Sequence, residues 1–132
     1  MALSLHPARL LARLPRLFVA EPDIPPLYLG LAGFQHHRAE GIWPFLRPGL
    51  ELRLRREPWN RHDPLAVAVY YRQEKLGYLP RPDNAAVARW LEQGRTLRAS
   101  IAGLAEGGYP RGRVQLRVQP LRDMPIPLRP AV

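Results

Sequence analysis

Apolar and polar residues exchange along this chain with two different periods. Leucines at 50, 52 and 54 alternate with Glu51, Arg53 and Arg55, the period of two expected of a half-buried strand. Residues 27–34 are almost continuously apolar and read as a first, buried strand. Residues 65–71 are apolar and rich in β-formers, and after a turn at Gln73 and Glu74 the chain returns through residues 75–79. Gly77 interrupts that returning strand, which marks a bulge or a place where another group, a ligand among the candidates, comes close to the backbone. Residues 96–102 and 114–118 alternate again, and the glycine-rich stretch 106–113 joins them into a long hairpin. A helical period shows in residues 84–93, where Ala86, Val87, Trp90 and Leu91 form one core-facing stripe; Asp83 stands where a cap is needed and Gly94 where a stop is. Residues 41–46 predict an apolar loop or short helical turn covering the core.

The ends read differently. Residues 1–20 set leucines and Phe18 among Arg9, Arg13 and Arg16, a basic amphipathic segment that is helical over 7–14 and interrupted at Pro15. It docks on the domain or attaches to a membrane surface or partner, and its apolar stretch is too short for a signal peptide. Residues 21–26 are a Pro-rich linker. Prolines at 120, 125, 127 and 130 predict an extended, loosely attached tail over 120–132. The division is therefore an N-terminal extension and linker at 1–26, one domain at 27–119, and a tail. About six strands with one or two helices suit a mainly β fold, a small six-stranded OB-like barrel. An open α+β sheet is the alternative.

Composition narrows the function. A chain of 132 residues makes one modest core. The absence of cysteine removes disulfides, thiolate catalysis and the usual zinc sites. No apolar run approaches the roughly 20 residues a spanning helix needs, so no stable membrane insertion is expected. Twenty basic residues, 19 of them arginine, stand against 11 acidic ones, and the excess falls mostly within 27–119. A basic folded body seeks polyanions, and guanidinium suits forked contacts to phosphate. Arginine- and alanine-rich composition also arises from genome base composition alone. Catalysis finds little support: there is no Gly-x-Ser-x-Gly turn, no Walker loop and no paired carboxylates. His62 and Asp63 with Glu57, or His36 and His37 with Glu40, are the nearest approaches to a hydrolytic site. Adjacent strand residues point to opposite faces, so His36 and His37 do not readily share a metal. The expectation is a cytoplasmic protein, nucleoid-associated if bacterial, that is not an enzyme and has no cofactor or metal.

The candidate chemistry gathers between residues 55 and 81, where two strands flank a loop dense in turn-formers. A single strand of nucleic acid offers phosphates, base faces and a terminal hydroxyl, and a site for it needs cations, aromatic platforms and an acceptor. Asp63 is the candidate hydroxyl acceptor, with Asn60 as its polar neighbour. His62 and Tyr78 are candidates for stacking or phosphate contact, and Arg81 for the backbone phosphate. Each has a plainer reading, since Asn and Asp in such loops bond their own amides and Tyr78 serves equally as cross-strand packing. Tyr109, in the glycine-rich loop, is a second platform or a lid residue.

The order of these features resembles the HIRAN domain. Ala32-Gly33-Phe34 ends the first strand, Pro48-Gly49 precedes the alternating leucines, Arg56-Glu57-Pro58 leads into Asn60-x-x-Asp63-Pro64, and Leu76-Gly77-Tyr78-Leu79-Pro80-Arg81 precedes the helix. The resemblance covers residues 27–119. It implies an OB-like barrel that grips single-stranded DNA, with a free 3′ end bound in helicase-linked members, and it puts the end-binding carboxylate at Asp63. Where those members carry basic and aromatic residues after the first strand, this chain has Gln35-His36-His37-Arg38; His36 is then the stacking candidate and Arg38 the cation. His62 stands where the family has an aromatic. These departures bear on 3′-end selectivity more than on DNA binding. The implied function is a module for single-stranded DNA or DNA 3′ ends in repair or stalled-replication processing, with a helicase or nuclease as candidate partner. The alternative is a protein-interaction module using the basic face and the N-terminal helix.

Overall fold

The computed structural model describes residues 16–34, 41–105 and 114–125, and these form seven antiparallel strands around one α-helix. In chain order they are β1 (Arg16–Ala20), β2 (Leu27–Gly30), β3 (Glu51–Arg56), β4 (Val67–Tyr71), β5 (Glu74–Tyr78), α1 (Asn84–Glu92), β6 (Thr96–Leu104) and β7 (Val114–Pro125). The sheet order is β1-β7-β6-β3-β4-β5, with β2 lying beside β1 along the same edge of β7. No described helix is long and apolar enough to cross a membrane.

Alternation decides which face is core. On β3, Leu52 is buried while Glu51, Arg53 and Arg55 are exposed. Val67 and Val69 of β4, Leu76 of β5, Ile101 of β6 and Leu116 and Val118 of β7 complete the interior with Leu29, Leu31 and Phe34. The helix packs on β4 and β6 through Val87 and Ala88, with Trp90 and Leu91 partly buried beside them. At its C-terminus Gly94 takes a φ of 76°, its N–H donates to the Leu91 carbonyl and that of Arg95 to Trp90, the paired bonds of a Schellman stop. The apolar stretch before β3 contains a 3-10 turn, Trp43–Phe45; Trp43 meets Phe34 edge-on, with ring centroids 5.8 Å apart, and Leu46 is buried.

Two strands change partner halfway, and this curls the sheet. β3 pairs with β6 at Glu51 and Leu52 and with β4 from Arg53 to Arg56. β7 pairs with β2 through 115–118 and with β1 through 121–125. The sheet is not a closed barrel: its ends meet at one bridge, where the amide of Ala32 donates to the Tyr78 carbonyl at 2.8 Å and that of Tyr78 to Ala32 at 2.9 Å.

The described strands therefore number seven instead of six: the N-terminal end adds β1, and the C-terminal end lengthens β7 to supply its partner. Residues 16–20, expected to belong to an amphipathic extension, are a strand in which Leu17 and Val19 are half-buried and Phe18 and Ala20 exposed; the helix expected over 7–14 lies outside the described residues. Residues 120–125, expected to be a loosely attached tail, continue β7, and Pro120 is fully buried. Proline is tolerated there because the Pro120 carbonyl faces the connector and accepts from Glu21 N–H at 3.3 Å. In a strand the N–H and C=O of one residue point the same way, so the missing donor costs β6 nothing. The connector itself is tied down, with Glu21 paired to Arg95 at 3.1 Å and the Ile24 carbonyl accepting from Gln119. Asp83 occupies the cap position of α1 without a side-chain bond to the helix.

Gly77 sits at the closing bridge. A β-carbon there would lie 2.2 Å from the Ala32 carbonyl oxygen, so the close approach read from its position is made by the chain's own backbone and not by a ligand. Gly77→Ala is expected to cost about 2–3 kcal/mol in urea unfolding, typical of forced overpacking, and to speed amide exchange at Ala32 and Tyr78 selectively. Unchanged stability and exchange would show that the bridge does not hold the sheet ends.

Candidate nucleic-acid interface

The loop between β3 and β4 is built on its own side chains. Its neck is closed by Glu57 N–H donating to the Ala66 carbonyl, and two turns follow, Asn60 N–H to Glu57 and Ala66 N–H to Asp63. Asn60 Oδ1 accepts from the amides of His62 (2.9 Å) and Asp63 (3.2 Å), and Asp63 Oδ1 accepts from the amide of Leu65 (2.9 Å). These are the local bonds that make Asn and Asp turn residues. Arg56 spans the base of the loop, donating to the carbonyls of Pro64 and Ala66 and to Glu92 of the helix at 2.8 Å.

Glu57 lies beneath this loop, only 5% exposed. Its Oε2 accepts from Lys75 Nζ at 2.7 Å; its Oε1 accepts from the Tyr78 hydroxyl at 2.9 Å and from Asn60 Nδ2 at 3.2 Å. Lys75 also donates to the Tyr78 oxygen at 3.1 Å. Burial pushes the Glu57 carboxyl up, but the bonds from Lys75, Tyr78 and Asn60 together with the Lys75 charge outweigh it and hold the group below its usual range. Burial likewise works to lower Lys75, and the bonds to Glu57 and Tyr78 reverse it, raising the ammonium well above its ordinary value.

Asp63 faces the other way, toward the helix. Its Oδ2 accepts from Asn84 Nδ2 at 2.6 Å and lies 3.4 Å from Arg81 Nε. Arg81, its side chain 66% exposed, also donates to the His62 carbonyl. Burial pushes the Asp63 carboxyl up, and the Leu65 amide, Asn84 and the charges of Arg81 and Arg56 together outweigh it and bring the group below its usual value. The arrangement is a fixed carboxylate beside an exposed guanidinium, with the exposed side chains of His62 and Arg61 on the same loop.

Asn60, His62, Asp63, Tyr78 and Arg81 thus form one connected group, Tyr78 and Asn60 meeting on the same oxygen of Glu57. His36, Arg38 and Tyr109, with the His36-His37-Glu40 cluster, lie outside the described residues. Sequence reading passed over the residues that position the group. In the sequence Glu57 reads as part of the Arg56-Glu57-Pro58 motif or as a catalytic partner, and Lys75 and Asn84 carry no assigned role. One cue was available for Lys75, the one lysine among 20 basic residues. For Asn84 there was none, since a polar first-turn residue is ordinary.

The HIRAN domain family model matches residues 27–118. The chain belongs to the HIRAN domain family. The family is known generally as a DNA-binding module. Among solved structures, a protein from Lactobacillus plantarum is 25% identical, with a TM-score of 0.65 over 81% of this chain and 98% of that one. The HIRAN domain of human HLTF is 15% identical, with a TM-score of 0.59 over 74% of this chain and 75% of the other, a likeness of fold. No curated protein matches the sequence.

The pairing makes a prediction with a definite sign. Lys75→Met leaves Glu57 buried without its cation and is expected to cost about 2–3 kcal/mol at neutral pH, somewhat below the figure for a fully buried pair because the Lys75 side chain is 28% exposed. Glu57 and Asp63 have lowered folded values, so their stabilisation is present above about pH 4.5 and 3.8 and is lost as pH falls through those lowered values. In the variant, desolvation dominates and protonated Glu57 is tolerated. The gap between wild type and variant in urea midpoint should therefore narrow below about pH 4.5. A gap independent of pH would show that Lys75 acts through packing alone.

Proposed function

We propose that this HIRAN domain binds single-stranded DNA without catalysis and holds a free 3′ end at the 57–66 loop, in the service of repair or stalled-replication processing. The observation that carries the reading is the pairing of Asp63 with Arg81: a carboxylate held ionised by internal donors, 3.4 Å from a guanidinium that is largely exposed. A strand end presents a hydroxyl that donates and phosphates that carry negative charge, and these two groups complement that pair. A carboxylate has about four acceptor positions. Leu65, Asn84 and Arg81 engage three, which leaves room for a hydroxyl on the exposed side. His36, Arg38 and Tyr109 complete the proposed contacts, His36 and Tyr109 as stacking groups and Arg38 as a further cation, while His62 offers its exposed ring and Tyr78 its half-exposed one. A helicase or nuclease is the candidate partner, and DNA as the ligand accords with a cytoplasmic location, nucleoid-associated if the protein is bacterial.

Anisotropy with a short labelled strand checks this directly. A free 3′-hydroxyl should be preferred over a 3′-phosphate, and Asp63→Ala should abolish the preference while leaving the weaker 3′-phosphate binding in place. A loss on both strands would point to loop collapse, and equal wild-type binding to both would remove end recognition. Affinity should fall with salt at a log–log slope near −0.7 per phosphate, so three or four contacts give roughly −2 to −3. A slope near zero would leave an acidic protein partner as the better reading.

A further inference from the structure

The open face of β3, β4 and β5 carries a second arrangement of cations and rings, adjoining the loop and taking in its Trp59. Cross-strand register places Arg53 opposite Tyr70 and Tyr70 opposite Lys75 in one row, and Arg55 opposite Ala68 and Ala68 opposite Tyr78 in the next. Paired residues share a face, so these side chains stand together. The Arg53 guanidinium lies 5.9 Å from the Tyr70 ring centre, Lys75 Nζ lies 5.9 Å from the same ring and 5.1 Å from that of Tyr78, and Arg55 lies 5.9 Å from the Trp59 ring. Arg53, Leu54, Arg55 and Tyr70 line an open groove of about 330 Å³.

The charges on this face are not balanced. Lys75 is committed to Glu57, and Arg98 neutralises Glu51 at the start of β3. Among the described residues Arg53 and Arg55 have no carboxylate partner; Arg53 donates only to the Arg72 carbonyl at 3.3 Å. Trp59 is 65% exposed at the edge of the same face. A large ring left in water beside a guanidinium at the outer limit of cation–π distance is poorly explained by folding, because exposed contacts of that kind stabilise little. Cations spaced along a strand pair with rings between them are what an extended polyanion with stacking bases requires.

The geometry points to this face as a track for single-stranded nucleic acid, taking the nucleotides that precede the end held at the loop: phosphates on Arg53 and Arg55, a base on Trp59. The track begins at Tyr78, where the lysine-linked row adjoins the loop, and runs across the groove toward Arg53. The inference rests on the proposed end-binding reading and extends it from the terminal nucleotides to the body of the strand.

Strand length separates the two. Oligothymidylates of about four and about twelve nucleotides, spanning the site sizes of OB-like folds, would be compared by anisotropy with wild type, Arg53→Ser/Arg55→Ser and Trp59→Ala. The long strand should bind wild type roughly tenfold tighter, with a salt slope steeper by about 0.7 for each added phosphate contact. Either variant should bring the long strand close to the affinity of the short one and leave the short strand unchanged. All three side chains are exposed, and coincident thermal unfolding curves would confirm intact folds. Equal affinity for both lengths, or variants that weaken both alike, would overturn the track while leaving end binding in place. A wild type that binds neither strand would remove the end-binding reading, and the track with it.

Discussion

One buried carboxylate organises the functional half of this fold. Glu57 closes β3 and begins the loop, so its side chain must turn either into solvent or under the loop, and it turns under. Removing a carboxylate from water without partners costs several kcal/mol or more. Here a lysine from β5, a hydroxyl from the same strand and an amide from the loop surround it, each at hydrogen-bond distance. Two separate segments, β5 and the loop, are therefore tied to the end of β3 by a single charged group. Asn60, its amide nitrogen held by Glu57, presents its one side-chain oxygen to the amides of His62 and Asp63, and the loop's outer course follows from that contact.

The helix enters the same network from the opposite side. Asn84 is buried and reaches Asp63 and the Leu65 carbonyl, while Arg56 ties Glu92, at the far end of the helix, to the carbonyls of Pro64 and Ala66. A loop of this length would ordinarily be among the more mobile parts of a small domain. Anchored to β5 through Glu57 and to α1 through Asp63 and Arg56, it is preorganised, which lowers the ordering cost of any ligand it meets. Closure of the sheet through Ala32 and Tyr78 has a related effect, because it brings the end of the first apolar strand against the residue that bonds Glu57.

Legibility in the sequence followed the range of the interactions. The alternation of β3, the stripe of α1, the glycine stop and the turn chemistry of residues 60–64 are local, and each was readable from a few consecutive residues. The family resemblance rested on the same local motifs. What escaped was set by distant partners. Residues 16–20 have a strand's alternation, yet the basic amphipathic run before them and Pro15 favoured an extension, and only the pairing with 121–125 shows their place. Pro120 read as the start of a tail because proline seldom enters a central strand; it enters here at the gap between two successive partners of β7, which no local pattern reveals. Lys75 and Asn84 were invisible for the same reason, since their roles depend on residues 18 and 21 positions away.

The internal bonds of Asn60 and Asp63 do not exhaust them, because structural and binding roles are not exclusive for a carboxylate. Donors from the protein favour the ionised form of Asp63 and fix its orientation, and a fixed, ionised acceptor is better suited to a hydroxyl than a mobile one. Two arginines that bond the loop from outside it, Arg56 and Arg81, divide the work in the same way. Arg56 is largely buried at the loop's base, where both terminal nitrogens of its guanidinium are engaged by carbonyls and Glu92, so its charge serves the fold; Arg81 shares Asp63 yet keeps most of its guanidinium in water. A domain with net charge +9 does not use its cations uniformly. Those with internal acceptors shape the loop, and exposed ones, among them Arg81 beside the loop and Arg53 and Arg55 on the sheet, are cations from which attraction for a polyanion can come.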